Sequence, residues 1–166
     1  MAESPRNPAL AAALLLLLTA APLSAQNIRA LPLQGLDEVV VSASDAGGSA
    51  AECGITAEDL AAATRARLEK SGLRVVDATN SRQPVVLVEL VALGCREKIP
   101  QGTFSLVLTV RDQALVTRTD AEVKAVVWEQ SALDLIGTAQ LADRVRARLD
   151  ELLGKLTGDL KAVGIG

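Results

Sequence analysis

Apolar residues in this chain follow two rhythms, one suited to strands and one to helices. Residues 36–44 (LDEVVVSAS) are rich in β-formers and predict the first strand. After a small-residue loop, 45–54, the period changes. Thr56 stands where a helix cap is needed, with Asp59 three residues on to complete a capping box. Ile55 and Leu60 form the flanking staple, and Leu60, Thr64 and Leu68 mark one face at spacing four. Gly72 suits the left-handed closing position, so this helix ends at Ser71. Residues 73–77 read as a short strand, and 78–83 as a polar loop closed by Pro84. Residues 85–93 are nearly continuous in apolar side chains and predict a central strand. After a turn over 94–102, residues 103–111 alternate, with Phe104, Leu106, Leu108 and Val110 on one side. A turn over 112–120, within which Ala114, Leu115 and Val116 are able to lengthen the flanking strands, leads to a fifth strand, 121–129, carrying Trp128. Residues 130–137 are ambiguous between loop and helix start. From Thr138 onward, Leu141, Val145, Leu149, Leu152, Leu156, Leu160 and Val163 form one apolar stripe on a long amphipathic helix.

The order β-α-β-β-β-β-α predicts an α+β fold: a two-layer α/β sandwich. It has a four- to five-stranded, mostly antiparallel sheet with both helices on one face, since neither helix can bury its stripe alone. Alternation then sorts the sheet residues. Val86, Val88 and Leu90 with Phe104, Leu106 and Leu108 turn toward the helices. Val85, Leu87, Glu89 and Val91 turn outward with Val107 and Thr109, and Val126 and Trp128 are assigned to the same open side. Several of these are apolar where an outer face is normally polar. Val85, Leu87, Val91 and Trp128 are therefore the candidate interface, for a protein partner or for a second copy in a homodimer. The competing reading is that the N-terminal lead-in or 130–137 covers this face.

The ends change the picture more than the composition does. Arg6, an apolar run over 9–21 and the small-residue exit Leu23-Ser24-Ala25 have the order of a secretory signal peptide. Cleavage after Ala25 leaves residues 26–166 as a single exported domain, periplasmic or secreted. The run is short of the ~20 residues a membrane span needs. Gln26 follows the exit where a lipoprotein would carry its lipidated cysteine, so no membrane anchor is expected after cleavage. A net charge of −3 without a basic stripe disfavours nucleic acid. One Phe, one Trp and no Tyr leave the core to aliphatic side chains.

Chemistry is sparse. The chain has no histidine, which removes Ser-His-Asp and Cys-His catalysis and the usual zinc sites. Gly47-Gly48 lacks the Lys and Ser/Thr of a phosphate loop. No cofactor, metal or catalytic residue is therefore assigned. Glu89 is the acidic residue within the most apolar strand. Buried, it could act as an acid or base; the preferred reading puts it on the open face beside a basic residue. Asp112 and Asp120 flank a turn and are better explained by turn chemistry than by calcium. Cys53 and Cys95 are an isolated pair that export would join as a disulfide. If strands two and three form a plain hairpin, however, the two cysteines lie at opposite ends of the sheet. The bond and the simple meander exclude each other.

The ordered set Cys53-Gly54-Ile55-Thr56, the capped helix ending Ser71-Gly72-Leu73-Arg74-Val75, the Val127-Trp128 strand and the long last helix resembles uncharacterised exported bacterial α/β proteins. More loosely, it is similar to periplasmic envelope-assembly modules, many of them lipoproteins. This resemblance implies a non-catalytic role. The leading expectation is a periplasmic interaction or accessory module that is not an enzyme. The alternatives are a small-ligand carrier with a cavity between sheet and helices, and a hydrolase using carboxylates.

Overall fold

The computed structural model describes residues 30–47, 49–95 and 100–165. The proposed leader and its cleavage site lie outside the described residues. Five strands form one sheet: β1 (Glu38–Asp45), β2 (Arg74–Val76), β3 (Val85–Leu93), β4 (Gln101–Val116) and β5 (Ala121–Gly137). Their order is β2-β1-β3-β4-β5. Among the described residues, two α-helices, α1 (Ala57–Lys70) and α2 (Leu141–Ala162), pack on one face.

α1 is bounded by the chemistry its sequence carries. Thr56 Oγ1 accepts from the Asp59 backbone N–H at 3.1 Å, satisfying one of the free donors of the first turn. Ile55 and Leu60 are both buried beside it. At the other end Gly72 takes φ 93°. The Leu73 N–H then reaches Leu68 O and the Gly72 N–H reaches Glu69 O, at 3.2 and 3.0 Å. With Leu73 and Leu68 buried, this is a Schellman closure with its apolar contact.

β1 lies between β2 and β3 and is parallel to both, so β2 and β3 do not form a hairpin. The chain rises along β1, descends through α1, rises again through β2, and returns over 77–84 to start β3 beside β1. The end of β3 and the start of α1 therefore meet at the same end of the sheet. Cys53 and Cys95 are joined there, with Cα atoms 5.4 Å apart. The conflict between bond and meander is resolved in favour of the bond. Two polar contacts hold the same corner: Ser49 Oγ donates to Ala92 O at 2.6 Å, and Asp45 Oδ2 accepts from the Ala50 N–H at 2.8 Å.

β3, β4 and β5 are successive antiparallel neighbours. Val86, Val88 and Leu90 face Val110, Leu108 and Leu106 across the ladder, and all are fully buried under the helices. Leu141, Val145, Leu149, Leu152, Leu156 and Leu160 of α2 are buried against them. The last hairpin is much longer than its sequence suggests. Residues 112–116 and 130–137 are strand, joined by a four-residue turn in which Asp120 takes φ 53°. The segment 130–137 is thus neither loop nor helix.

Candidate interaction surface

The register fixes which side chains share the face away from the helices. Leu93 lies beside Thr103, which lies beside Leu135; the next row is Val91, Ser105 and Leu133. Further along come Glu89, Val107 and Ser131, then Leu87, Thr109 and Glu129, then Val85, Arg111 and Val126. This face has two parts with different chemistry.

Its middle is polar and partly closed. Arg111 Nη2 donates to Glu89 Oε2 at 3.2 Å, with both side chains about 40% exposed. Glu89 therefore sits on the open side paired with a base, as alternation within a strand requires. The pair bridges the Leu87–Thr109 row, so Thr109 is 2% exposed and Leu87 is half-buried. Thr109 Oγ1 and Arg111 Nε make no hydrogen bond within the protein. Asp112 and Asp120 belong to local backbone chemistry: Asp112 Oδ1 accepts from the Gln113 N–H, and Asp120 closes the hairpin turn. Among the described residues, no three His, Cys, Asp or Glu side chains group as metal ligands would.

The end of the face nearest the disulfide is apolar and open. Val91, Leu93, Leu133 and Leu135 are 37%, 57%, 75% and 68% exposed. They occupy two adjacent rows of the ladder, with only Thr103 and Ser105 between them. Thr103 Oγ1 donates to Asp134 O at 2.9 Å, tying β4 to β5 inside the patch.

Of the predicted interface residues, Val91 belongs to this patch. Val85 and Leu87 are half-buried around the polar centre. Trp128 does not belong to it. Trp128 pairs with Val110, on the helix side, and is only 5% exposed. Its Nε1 donates to Asp159 Oδ2 on α2 at 2.9 Å. The reason is a β-bulge between Val110 and Arg111: Val110 faces Trp128, but Arg111 faces Val126. Val127 is the extra residue. A bulge puts two residues opposite one and resets the alternation, so Val126 stays on the open face while Trp128 turns under α2. Leu133 and Leu135 were missed because 130–137 lacked a clear period. The alternation Leu133, Asp134, Leu135 was the available signal. Leu93 follows from extending the β3 alternation by one step.

Asp134 holds this end of β5 to α2. It accepts from Arg144 Nε at 2.7 Å and Arg148 Nε at 3.2 Å, and Arg148 Nη1 also donates to Glu151 at 2.7 Å. The Arg144 hydrogen bond, helped by Arg148, holds the Asp134 carboxyl below its ordinary range. The Arg148 bond, with Lys155, does the same for Glu151. The unfolded chain then binds more protons than the folded one as pH falls. The contribution of these pairs is complete above the unfolded carboxylate values and is lost as pH drops through the folded ones. The unfolding midpoint should therefore fall on acidification below about pH 4. Asp134→Asn should flatten that decline while losing stability at neutral pH. A wild-type midpoint unchanged on titration from about pH 5 to pH 2 would refute this.

No protein-family model matches the chain, and no curated protein matches it in sequence. Among solved structures it is distantly similar to a minor lipoprotein from Acinetobacter baumannii: TM-score 0.44, 14% identity, 78% of this chain and 93% of that one. A second is rare lipoprotein B from Shewanella oneidensis, with TM-score 0.23, 21% identity, 77% of this chain and 89% of that one. Both carry the lipoprotein description. Among the described residues, no helix is long and apolar enough to cross a membrane.

Proposed function

We propose that this protein is a non-catalytic, exported accessory module that acts by contact through the apolar corner of its open sheet face. One observation carries the reading: Val91, Leu93, Leu133 and Leu135 are solvent-exposed on two adjacent rows of a sheet whose described helices cover its other side. Burying a leucine side chain is worth roughly 1.5–3 kcal/mol, so a cluster of this kind is a ready contact surface. The Cys53–Cys95 bond supports an oxidising compartment, and the leader supports the periplasm.

The carrier alternative is less well supported. Val86, Val88, Leu90, Phe104, Leu106 and Leu108, which line the space between sheet and helices, have no accessible surface. The hydrolase alternative needs a carboxylate poised for proton transfer, and Glu89 is committed to Arg111. In-cell photocrosslinking tests the proposal. A photoreactive residue at Leu93 or Leu135 should give a specific adduct, and one at Glu69, exposed on α1, should not. Adducts at Glu69 with none at the corner would overturn it.

A further inference from the structure

We propose that the free edge of β5 pairs with the same edge of a second copy, so that two sheets become one continuous antiparallel sheet. This concerns the strand edge that borders the apolar corner and is separate from the reading of the corner's face as a contact surface.

β5 is the outer strand of the sheet. Thr103 of β4 donates its hydroxyl to the Asp134 carbonyl at 2.9 Å, so Asp134 turns its backbone groups inward. Successive residues of a strand point these groups to opposite sides. Leu133 and Leu135 therefore present N–H and C=O to the free edge. Part of this edge is occupied. The turn Leu31–Leu33 packs on β5, with Pro32 beside Val127, Trp128, Glu129 and Gln130. Among the described residues, the stretch beyond this turn is 131–137, reading SALDLIG.

That stretch keeps one of the usual defences of an edge strand, the inward-pointing charge of Asp134, but Arg144 and Arg148 pair that charge. It contains no proline or lysine, and the bulge lies several residues away. It also reads almost the same in both directions about Asp134. A two-fold axis there sets Leu133 against Leu135 of the second copy on the open face. It sets Ala132 against Ile136 on the helix face. Apolar side chains meet apolar ones on both sides, and the Leu133–Leu135 pairs exchange the outward backbone bonds. A two-fold axis at Leu133 or Leu135 would instead put Asp134 against Ala132 or Ile136. The two Asp134 carboxylates near the axis each bring Arg144 and Arg148 from their own chain, so opposed guanidinium groups offset the like charges.

Sedimentation velocity and spin-label distances on the exported, disulfide-bonded protein test the pairing. Leu133→Pro deletes only an outward N–H and leaves the ladder to β4 intact. Wild type should self-associate, and Leu133→Pro should raise the dissociation constant about tenfold or more with an unchanged circular dichroism spectrum. Leu93→Lys, two strands from the edge, should keep the dimer. A nitroxide at Ser131→Cys should report a distance of about 20 Å between copies, the span of six strand residues. This readout stands even if the proline variant does not fold. A wild type that stays monomeric at its highest soluble concentration overturns the pairing. So does a dimer insensitive to Leu133→Pro, a dimer that Leu93→Lys dissolves, or a label distance far from 20 Å. Corner adducts with another protein alongside a monomeric wild type would sink the edge pairing and leave the contact reading standing.

Discussion

Replacing Cys53 and Cys95 together by alanine should cost about 4 kcal/mol of stability and lower the unfolding midpoint by roughly 10 °C. The bond joins positions 42 residues apart. Cutting it releases a long loop in the unfolded chain, and the entropy of closing that loop sets the size of the effect. The folded side should change little, because Ser49 still bonds Ala92 O and Asp45 still bonds the Ala50 N–H at the same corner. The expected signature is an unchanged far-ultraviolet circular dichroism spectrum with a much lower midpoint, reproduced in wild type by a thiol reductant. A loss below about 1 kcal/mol would mean that the reduced unfolded state is already compact at this corner. A changed native spectrum would mean that the bond also shapes the fold.

Trp128→Ala should cost a comparable ~3–5 kcal/mol. Trp128 is 5% exposed beneath α2 and is the chain's one tryptophan, in a core otherwise built mainly from aliphatic side chains. Its removal opens a cavity between β5 and α2, and it leaves Asp159 without the indole donor now 2.9 Å from Oδ2. Trp128→Phe separates the two effects. It keeps most of the ring volume, so its cost should be nearer the ~1–2 kcal/mol of the lost hydrogen bond with some packing. Chemical denaturation measures both variants. The emission of Trp128 gives a direct check: blue-shifted and poorly quenched by iodide if buried, red-shifted and readily quenched if it stood on the open face.

How much of this was legible in the sequence depended on how locally each feature is determined. The α1 boundaries were readable because Thr56, Asp59 and Gly72 act on backbone groups within a few residues of themselves. β3 was readable to the residue, and its alternation placed Glu89 on the open side. The α2 stripe and the helix-facing set Val86, Val88, Leu90, Phe104, Leu106 and Leu108 followed from periodicity, and each member is buried in the core except Val163, which lies just past the helix end and is partly buried. The extra length of β4 was legible only through Ala114, Leu115 and Val116, and that of β5 over 130–137 was not readable. Residues 112–116 and 130–137 are exposed or half-buried, so burial imposes no strong period on them; 112–116 pair with 121–125, and 130–137 pair with 101–108.

The sequence by itself determined α1, β3, the start of α2, the aliphatic helix-side core and the pairing chemistry of an isolated cysteine pair. Each of these rests on local backbone geometry or on a repeating apolar period. Tertiary structure alone decided three things. Strand order placed β1 between β2 and β3 and brought Cys53 to Cys95, because parallel pairing depends on a crossover that no local pattern encodes. A single bulged residue moved Trp128 to the opposite face, because alternation holds only while the ladder is unbroken. The length of β5 set Leu133 and Leu135 beside Val91 and Leu93, since a surface patch is made of residues that only register brings together.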